Sequence, residues 1–395
     1  MPYVPDFKSE MKKELQNILE YWMEHVVEKN GEGFYVRVDG NNKPDLSSPK
    51  SIVVTSRILW TFSAAHLLFP DNRYPAMAKK AYDYLKKYFV DPVNGGVYWQ
   101  VKADGSPQVT KKQLYGHAFA VYGLSEYYKI SKDAEVLNLA RSIFNTFIKH
   151  GYDKDQGGYI EGFDSDWKNT DDYILSKGDD RKSMNTHLHL LECFTNYYQV
   201  AKDEASKFHL KHSLEMMLNH IIDPATFRMR LFFKEDWTPT TPVISYGHDI
   251  EASWLLYEAA EFLGDKKLLA RSKEVSLQMA KAAIDGLAPD GAINYEYDPV
   301  TKHLQDRKDW WPQAEAMVGF YNAYQLSGKV GYLEKAEKVW AFIKEHLIDY
   351  KNGEWFGGVT ADYKVAGTDK ANIWKGLYHN GRACMEMYKR SSGKH

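Results

Sequence analysis

Six short stretches rich in glycine and aromatic residues recur along the chain, and their spacing limits what it can fold into. They read NGEGFYVRV (30–38), NGGVYWQV (94–101), QGGYIEGF (156–163), ATFRMRLFF (225–233), PDGAINYEY (289–297) and NGEWFGGV (352–359). Successive copies begin about 60 to 70 residues apart, and recurrence on that scale marks a repeat architecture. Each copy joins turn residues to aromatic and β-branched ones, the composition of a short hairpin or loop. The fourth copy lacks glycine and matches least well.

Between the copies the apolar residues return with helical period. RYPAMAKKAYDYLKKYFV (73–90) sets Ala78, Ala81, Tyr82, Leu85 and Phe89 on one stripe. AEVLNLARSIFNTFIKHG (134–151) does the same and stops at Gly151, the expected C-cap. MKKELQNILEYWMEHVV, SKFHLKHSLEMMLNHII, KKLLARSKEVSLQMAKAAI and VGYLEKAEKVWAFIKEHLI are amphipathic in the same way. Six further runs, each following a Gly-aromatic copy, are more apolar: TSRILWTFSAAHLL, LYGHAFAVYGLSEYY, NTHLHLLECFTNYYQ, GHDIEASWLLYEAAEFL, WPQAEAMVGFYNAYQL and YHNGRACMEMYKR. A helix apolar on one stripe suits the outside of a fold, and one apolar on most sides suits its inside. Outer helix, loop, inner helix, six times over, predicts an all-α protein. The economical form is an (α/α)6 barrel of six helical hairpins with short β-hairpin or loop insertions, residues 1–395 forming one domain; an open α-solenoid is the alternative.

The inner runs carry titratable groups where a core would want none. In YGHDIEASW (246–254), His248 and Glu251 are three apart and share a helix face, and Trp254 extends the stripe. Corresponding positions near the start of the other inner runs hold Arg57; Tyr115 and His117; Asn185, His187 and His189; Trp310, Trp311 and Glu315; and Trp374, His379 and Arg382. In a closed barrel these starts open at one end, where helix N-termini leave unpaired N–H groups and favour anionic oxygens. One polar, aromatic-walled pocket accounts for this register better than six packing accidents. His66, His150, His209, His212, His220 and His346 fall outside it and read as capping or surface groups. H-x-H in NTHLH and H-x-x-E in GHDIE are spacings a metal site can use. On a helix, however, His187 and His189 point about 200° apart, and no HExxH occurs, so no metal is expected.

The aromatic share, 14% with 28 Tyr and 11 Trp, suits sugar binding because pyranose C–H faces pack on flat rings, though a large helical core also uses such residues. A net charge of −2 argues against nucleic acid or an anionic membrane as partner. Cys193 and Cys384 form no disulfide or metal pattern. No run of 18 apolar residues occurs, and MPYVPDFKSEMKKELQ has no apolar leader core, so a cytoplasmic protein is expected.

GHDIEASWLL, SMNTHLHLLE, DWWPQAEAMVGF and WKGLYHNGRACME together resemble the cellobiose 2-epimerases of the N-acylglucosamine 2-epimerase superfamily, in order and spacing, from about Arg57 to Met385. The resemblance implies an (α/α)6 barrel with no metal and no redox cofactor. It implies inversion at C2 of the reducing-end glucose of a β-1,4-linked disaccharide, turning cellobiose into glucosyl-mannose, with lactose and mannobiose as similar substrates. By the same resemblance His248 and His379 match the two acid/base histidines, and Asn185 and His189 match residues that hold the sugar's hydroxyls and the opened carbonyl end. Arg57 matches the arginine on the enediolate oxygen, and Glu251 the carboxylate that orients its histidine. Trp311 and Trp374 match platforms for two sugar rings, with Tyr115 and Glu315 lining the pocket. His117, Trp254, Trp310 and Arg382 join the expected substrate-binding set through their register. A small sugar is the expected partner, and the chain is expected to be a monomer or weak homo-oligomer. Two alternatives stay open: a 2-epimerase or isomerase of free mannose or N-acetylglucosamine, and a glycoside hydrolase using Glu251 and Glu315 as opposed carboxylates.

The residue types suit that chemistry independently. The C2–H of an aldose becomes acidic once the ring opens to an aldehyde, and its removal leaves a cis-enediolate. Inversion needs a proton returned to the opposite face, so two bases are required, each expected near pKa 7. Glu251, on the face of His248, is expected to fix its tautomer and raise its pKa. A permanent cation at Arg57 would stabilise the enediolate oxygen, an effect commonly of order 10²–10³ in rate.

Overall fold

The computed structural model describes residues 5–29 and 31–393. In chain order its helices are α1 (Phe7–Tyr21), α2 (Ile52–Leu68), α3 (Arg73–Tyr84), α4 (Leu114–Ser131), α5 (Ala134–Gly151), α6 (Met184–Ala201), α7 (Glu204–Met216), α8 (Tyr246–Leu263), α9 (Lys266–Ala283), α10 (Trp310–Ser327), α11 (Val330–Phe342) and α12 (Tyr378–Ser391). The even-numbered helices are buried on nearly every side; in α2 each residue from Ile52 to Ala65 is inside. The odd-numbered helices bury one stripe, such as Met11, Leu15, Ile18 and Leu19 in α1, or Val136, Ala140, Ile143, Phe144 and Phe147 in α5. Asp133, Asp203 and Asp265 cap three outer helices by accepting free first-turn N–H groups.

The even helices close a ring. Each touches the next from α2 to α12, and α12 touches α2. Each outer helix from α3 onward packs mainly on the inner helix that precedes it, and α1, which has none before it, packs on α12. The hairpins are therefore α2–α3 through α10–α11, with α12 and α1 completing the sixth. This is the (α/α)6 barrel; the open solenoid would have left α2 and α12 apart.

All six Gly-aromatic copies make the same structure. A β-bridge joins a residue at most six positions beyond each outer helix, past a short π or 3-10 turn in every case but α5, to the copy: Val27 to Phe34, Val90 to Val97, Tyr152 to Tyr159, Ile222 to Met229, Leu287 to Ile293, and Ile348 to Trp355. The fourth copy, weakest in sequence, still forms its bridge. Phe227 there adopts φ 56°, the left-handed conformation that Gly95, Gly157 and Gly353 take in other copies. A short strand then enters each inner helix except α12; Lys112–Gln113 and Lys182–Ser183, for example, pair with Gly162–Phe163 and Phe232–Phe233. Buried lysines tie the turns down: Lys112 to Asp91 at 2.6 Å, Lys182 to Asp153 at 2.7 Å and Lys370 to Asp349 at 2.7 Å.

Gly151, the expected C-cap, is instead the last helical residue of α5. Its lack of a side chain serves close approach, since a Cβ there would lie 2.5 Å from Leu114 Cδ2. Among the described residues no helix is long and apolar enough to cross a membrane.

Candidate active site

The fourth residue of four inner helices does one job with three side-chain types. His117 and His187 accept the N–H of Val97 and Tyr159 at Nε2, both at 3.0 Å. Asp249 and Gln313 accept the N–H of Met229 and Ile293, both at 2.8 Å. Each thereby pins a Gly-aromatic loop to the barrel. His117 and His187 also donate from Nδ1 to the carbonyls of Gln113 and Ser183, which uses both ring nitrogens. Burial drives both imidazoles down to about 3, so they stay neutral. Gly96 and Gly158 are glycine for this reason: φ is +72° and +78°, and a Cβ would come 2.4 and 2.8 Å from the pinning ring nitrogen. His117, expected to bind substrate, is thus engaged with backbone and lies outside the cavity.

The other register residues converge. All six inner-helix starts, or the segments just before them, open on one cavity of about 430 Å³, within the usual range of small-molecule sites. Arg57, Tyr115, Asn185, His189, His248, Glu251, Trp310, Trp311, Trp374 and His379 line it. Leu175, Tyr295, Asp309 and Asn372 line it too and were not anticipated. Leu175, Tyr295 and Asn372 come from connections, whose path no helical period reveals. Trp254, Glu315 and Arg382, expected in the substrate-binding set, do not line it; they form a floor behind the lining, where Glu315 meets His379 and Trp254 and Arg382 binds Glu251.

Arg57 is 3% exposed and has no carboxylate partner among the described residues. Its guanidinium donates to the Tyr115 hydroxyl and the Trp374 carbonyl, both at 3.1 Å, and stacks 4.5 Å from the Phe119 ring centroid. His248 and His379 flank Trp311, with ring centroids 4.6 and 5.7 Å from it. Nδ1 of His248 meets the Ser245 hydroxyl at 2.7 Å, and Nδ1 of His379 meets Glu315 Oε1 at 2.7 Å. In each, Nε2 is left without a protein partner among the described residues.

Two expectations about these histidines do not hold. Glu251 does not orient His248; its Oε1 accepts from Arg382 Nη2 at 2.6 Å. The carboxylates that do meet site histidines are Glu315, beside His379, and Glu192, 3.0 Å from Nδ1 of His189. Glu192 was missed, although HLLE at 189–192 repeats the H-x-x-E spacing of HDIE. Nor are the imidazoles near pKa 7. Burial, aided by the field of His189, holds His248 down at about 3, and burial with Arg57 and Arg382 holds His379 well below its usual value.

Arg382 organises the floor. Nη1 binds Glu192, and Nη2 binds Glu251 and Glu315 at 2.6 and 2.7 Å. Burial disfavours the charge on Glu192, but Arg382 and the bonds from His189 and Tyr378 outweigh it and hold the carboxyl at about 2. For Glu251 burial dominates, reinforced by Glu315, and the carboxyl rises to about 8. Glu315 also rises, through burial. Oxygens of Glu251 and Glu315 and a nitrogen of His379 lie within 4.8 Å of one another, close enough to ligate a cation. The Arg382 guanidinium already takes that place, so this donor set does not fit a metal.

The chain matches the N-acylglucosamine 2-epimerase family over residues 33–383. It is 44% identical to the cellobiose 2-epimerase of Bacteroides fragilis over 384 residues, covering 96% of this chain and 98% of that one. The solved cellobiose 2-epimerase of Bacillus thermoamylovorans superposes with a TM-score of 0.93 at 33% identity, covering 97% and 99% of the two chains. A sugar epimerase from a ruminal bacterium superposes with a TM-score of 0.92 at 37% identity, covering 97% and 98%. Likeness of this extent, in sequence and backbone together, makes the chain a member of the N-acylglucosamine 2-epimerase family and an epimerase of sugars.

Proposed function

We propose that this epimerase inverts C2 of the reducing-end glucose of β-1,4-linked disaccharides, converting cellobiose to glucosyl-mannose. The observation that carries the chemistry is Arg57, a buried cation without a carboxylate partner, on a cavity that also presents two neutral imidazoles. A buried charge left unpaired is costly unless an anion arrives, and the enediolate is that anion. His248 and His379, neutral at cytoplasmic pH, are in the form that accepts a proton. After ring opening, one removes the C2 proton at Nε2. The resulting imidazolium faces an anion, which favours its charge while the intermediate lasts. The other histidine takes up a proton from solvent, favoured by the same anion, and delivers it to the opposite face while the first returns its proton to solvent; ring closure then releases the epimer. Asn185 and His189 hold the opened end, and Trp311 and Trp374 carry the two rings. These steps need neither metal nor redox cofactor.

The disaccharide preference draws support from Trp374, which is 38% exposed at the mouth while Trp311 is 9% exposed, offering one aromatic surface inside and one outside. The hydrolase alternative fares worse: Glu251 and Glu315 converge on one guanidinium nitrogen instead of flanking a glycosidic bond. A proton NMR time course with cellobiose in D2O tests the reading. Glucosyl-mannose carrying deuterium at C2 is expected. Free glucose, or activity on mannose with none on cellobiose, would replace it.

A further inference from the structure

His189 and His379 lie on different helices, yet one hydrogen-bonded chain joins them. Nδ1 of His189 meets Glu192 Oε2 at 3.0 Å. Glu192 Oε1 accepts from Arg382 Nη1 and from the Tyr378 hydroxyl. Arg382 Nη2 donates to Glu315 Oε1, which also meets Nδ1 of His379. Every member is at least nine-tenths buried. His248 stands outside this chain, its Nδ1 facing only a hydroxyl.

We propose that Glu192 is a positioning residue for the epimerisation, fixing the tautomer and ring orientation of His189 so that Nε2 faces the cavity as an acceptor. One oxygen of Glu192 is fully used by Arg382 and Tyr378, so the other has a single task, on His189. A carboxylate bearing this load only accepts, so Nδ1 of His189 must carry the proton and Nε2 must carry the lone pair. An acceptor there suits a sugar hydroxyl, which has a proton to give. Tyr378 and Arg382, both from α12, keep Glu192 from rotating away, so the register between α6 and α12 sets the tautomer of a residue on α6 alone. The kinetic half of this inference rests on the reading of His189 as a residue that holds the opened sugar; the tautomer half does not.

Glu192→Gln tests it. Arg382 and Tyr378 still demand an acceptor, so the amide oxygen stays with them and the NH2 turns to His189. Nδ1 must then accept, and the proton moves to Nε2. Nitrogen-15 NMR of histidine-labelled enzyme reads this without any substrate. The wild type should show Nδ1–H at His189, and the variant Nε2–H. His187, two residues away and tied to Ser183 and Tyr159 backbone, should keep Nδ1–H in both, which reports an intact helix. With cellobiose, kcat should fall ~10–100-fold, as when the partner orienting a functional histidine is lost, with KM changed less than ~3-fold. Nε2–H in the wild type overturns the proposal even if the variant does not fold. A folded variant with unchanged tautomer and kcat also overturns it. If cellobiose is not turned over at all, the functional reading fails and the tautomer result stands separately.

Discussion

Oε1 of Glu315 accepts from Nη2 of Arg382 and meets Nδ1 of His379, each at 2.7 Å. One oxygen therefore serves both the ion pair that holds the cavity floor together and the imidazole proposed to move a proton. This sharing ties the chemistry to the stability of the barrel centre, and the two can be separated by mutation.

His248→Ala and His379→Ala should each lower kcat at least ~10²-fold, the usual contribution of a general acid or base. Forward and reverse epimerisation should fall equally, because the sugars fix the equilibrium. Exchange should distinguish the two. The variant that keeps the base facing glucose C2–H should wash that hydrogen out in D2O without inversion, and the other should do so only with the mannose epimer. Near wild-type rates in both variants would remove the two-histidine mechanism.

Arg382→Met should destabilise the fold by about 3–5 kcal/mol, the cost of breaking a buried charge cluster by removing one partner. Glu192, Glu251 and Glu315 would then share a buried space without a cation among them. Urea unfolding of variant and wild type measures this; a change under ~1 kcal/mol would show that the carboxyls are neutral without Arg382.

His187→Leu should cost stability rather than catalysis, with kcat/KM kept within ~3-fold and unfolding easier by roughly 1–3 kcal/mol for a buried N–H left without its acceptor. The loss should depend on pH in one direction. The folded pKa of His187 is depressed to about 3 from an ordinary value of 6.5. Its stabilising contribution is therefore fully present above about 6.5 and is lost at roughly 1.4 kcal/mol per unit as pH falls toward 3, so a gap of that size should close within about one to two units below 6.5. The gap between wild type and variant should narrow on acidification. A gap that widens would mean the imidazole is charged when folded.

Trp374→Ala should raise KM for cellobiose about tenfold or more while changing KM for a monosaccharide substrate less than ~3-fold, because the half-exposed indole lies at the mouth. Steady-state kinetics on both sugars decide this, and equal effects would move the platform role inward.

The chain's periodicity was enough to predict six helical hairpins with a closed barrel as their economical packing, while closure itself, α12 against α2, is decided by the tertiary structure. Glycine-aromatic copies at regular intervals, with one-stripe helices alternating with helices apolar on most sides, leave few ways to bury six inner helices except around one another. The register of Arg57, Asn185, His248 and His379 also marked one end of that barrel as the site, because helical spacing fixes which residues share a face. Pairing across the barrel was beyond its reach. His189 with Glu192 and His248 with Glu251 have the same i,i+3 spacing, yet only the first pair bonds: Arg382 on α12 takes one oxygen of each carboxyl, the other oxygen of Glu192 meets His189, and Nδ1 of His248 meets the Ser245 hydroxyl instead. His117 and His187 look as reactive as their neighbours in sequence, and become loop pins only when a backbone N–H arrives at Nε2 from a connection about 20 to 28 residues upstream. Spacing along a helix sets a side chain's direction, but its partner is set by what adjacent helices and loops project into the same space, and burial makes that partner's identity decide whether the group is charged.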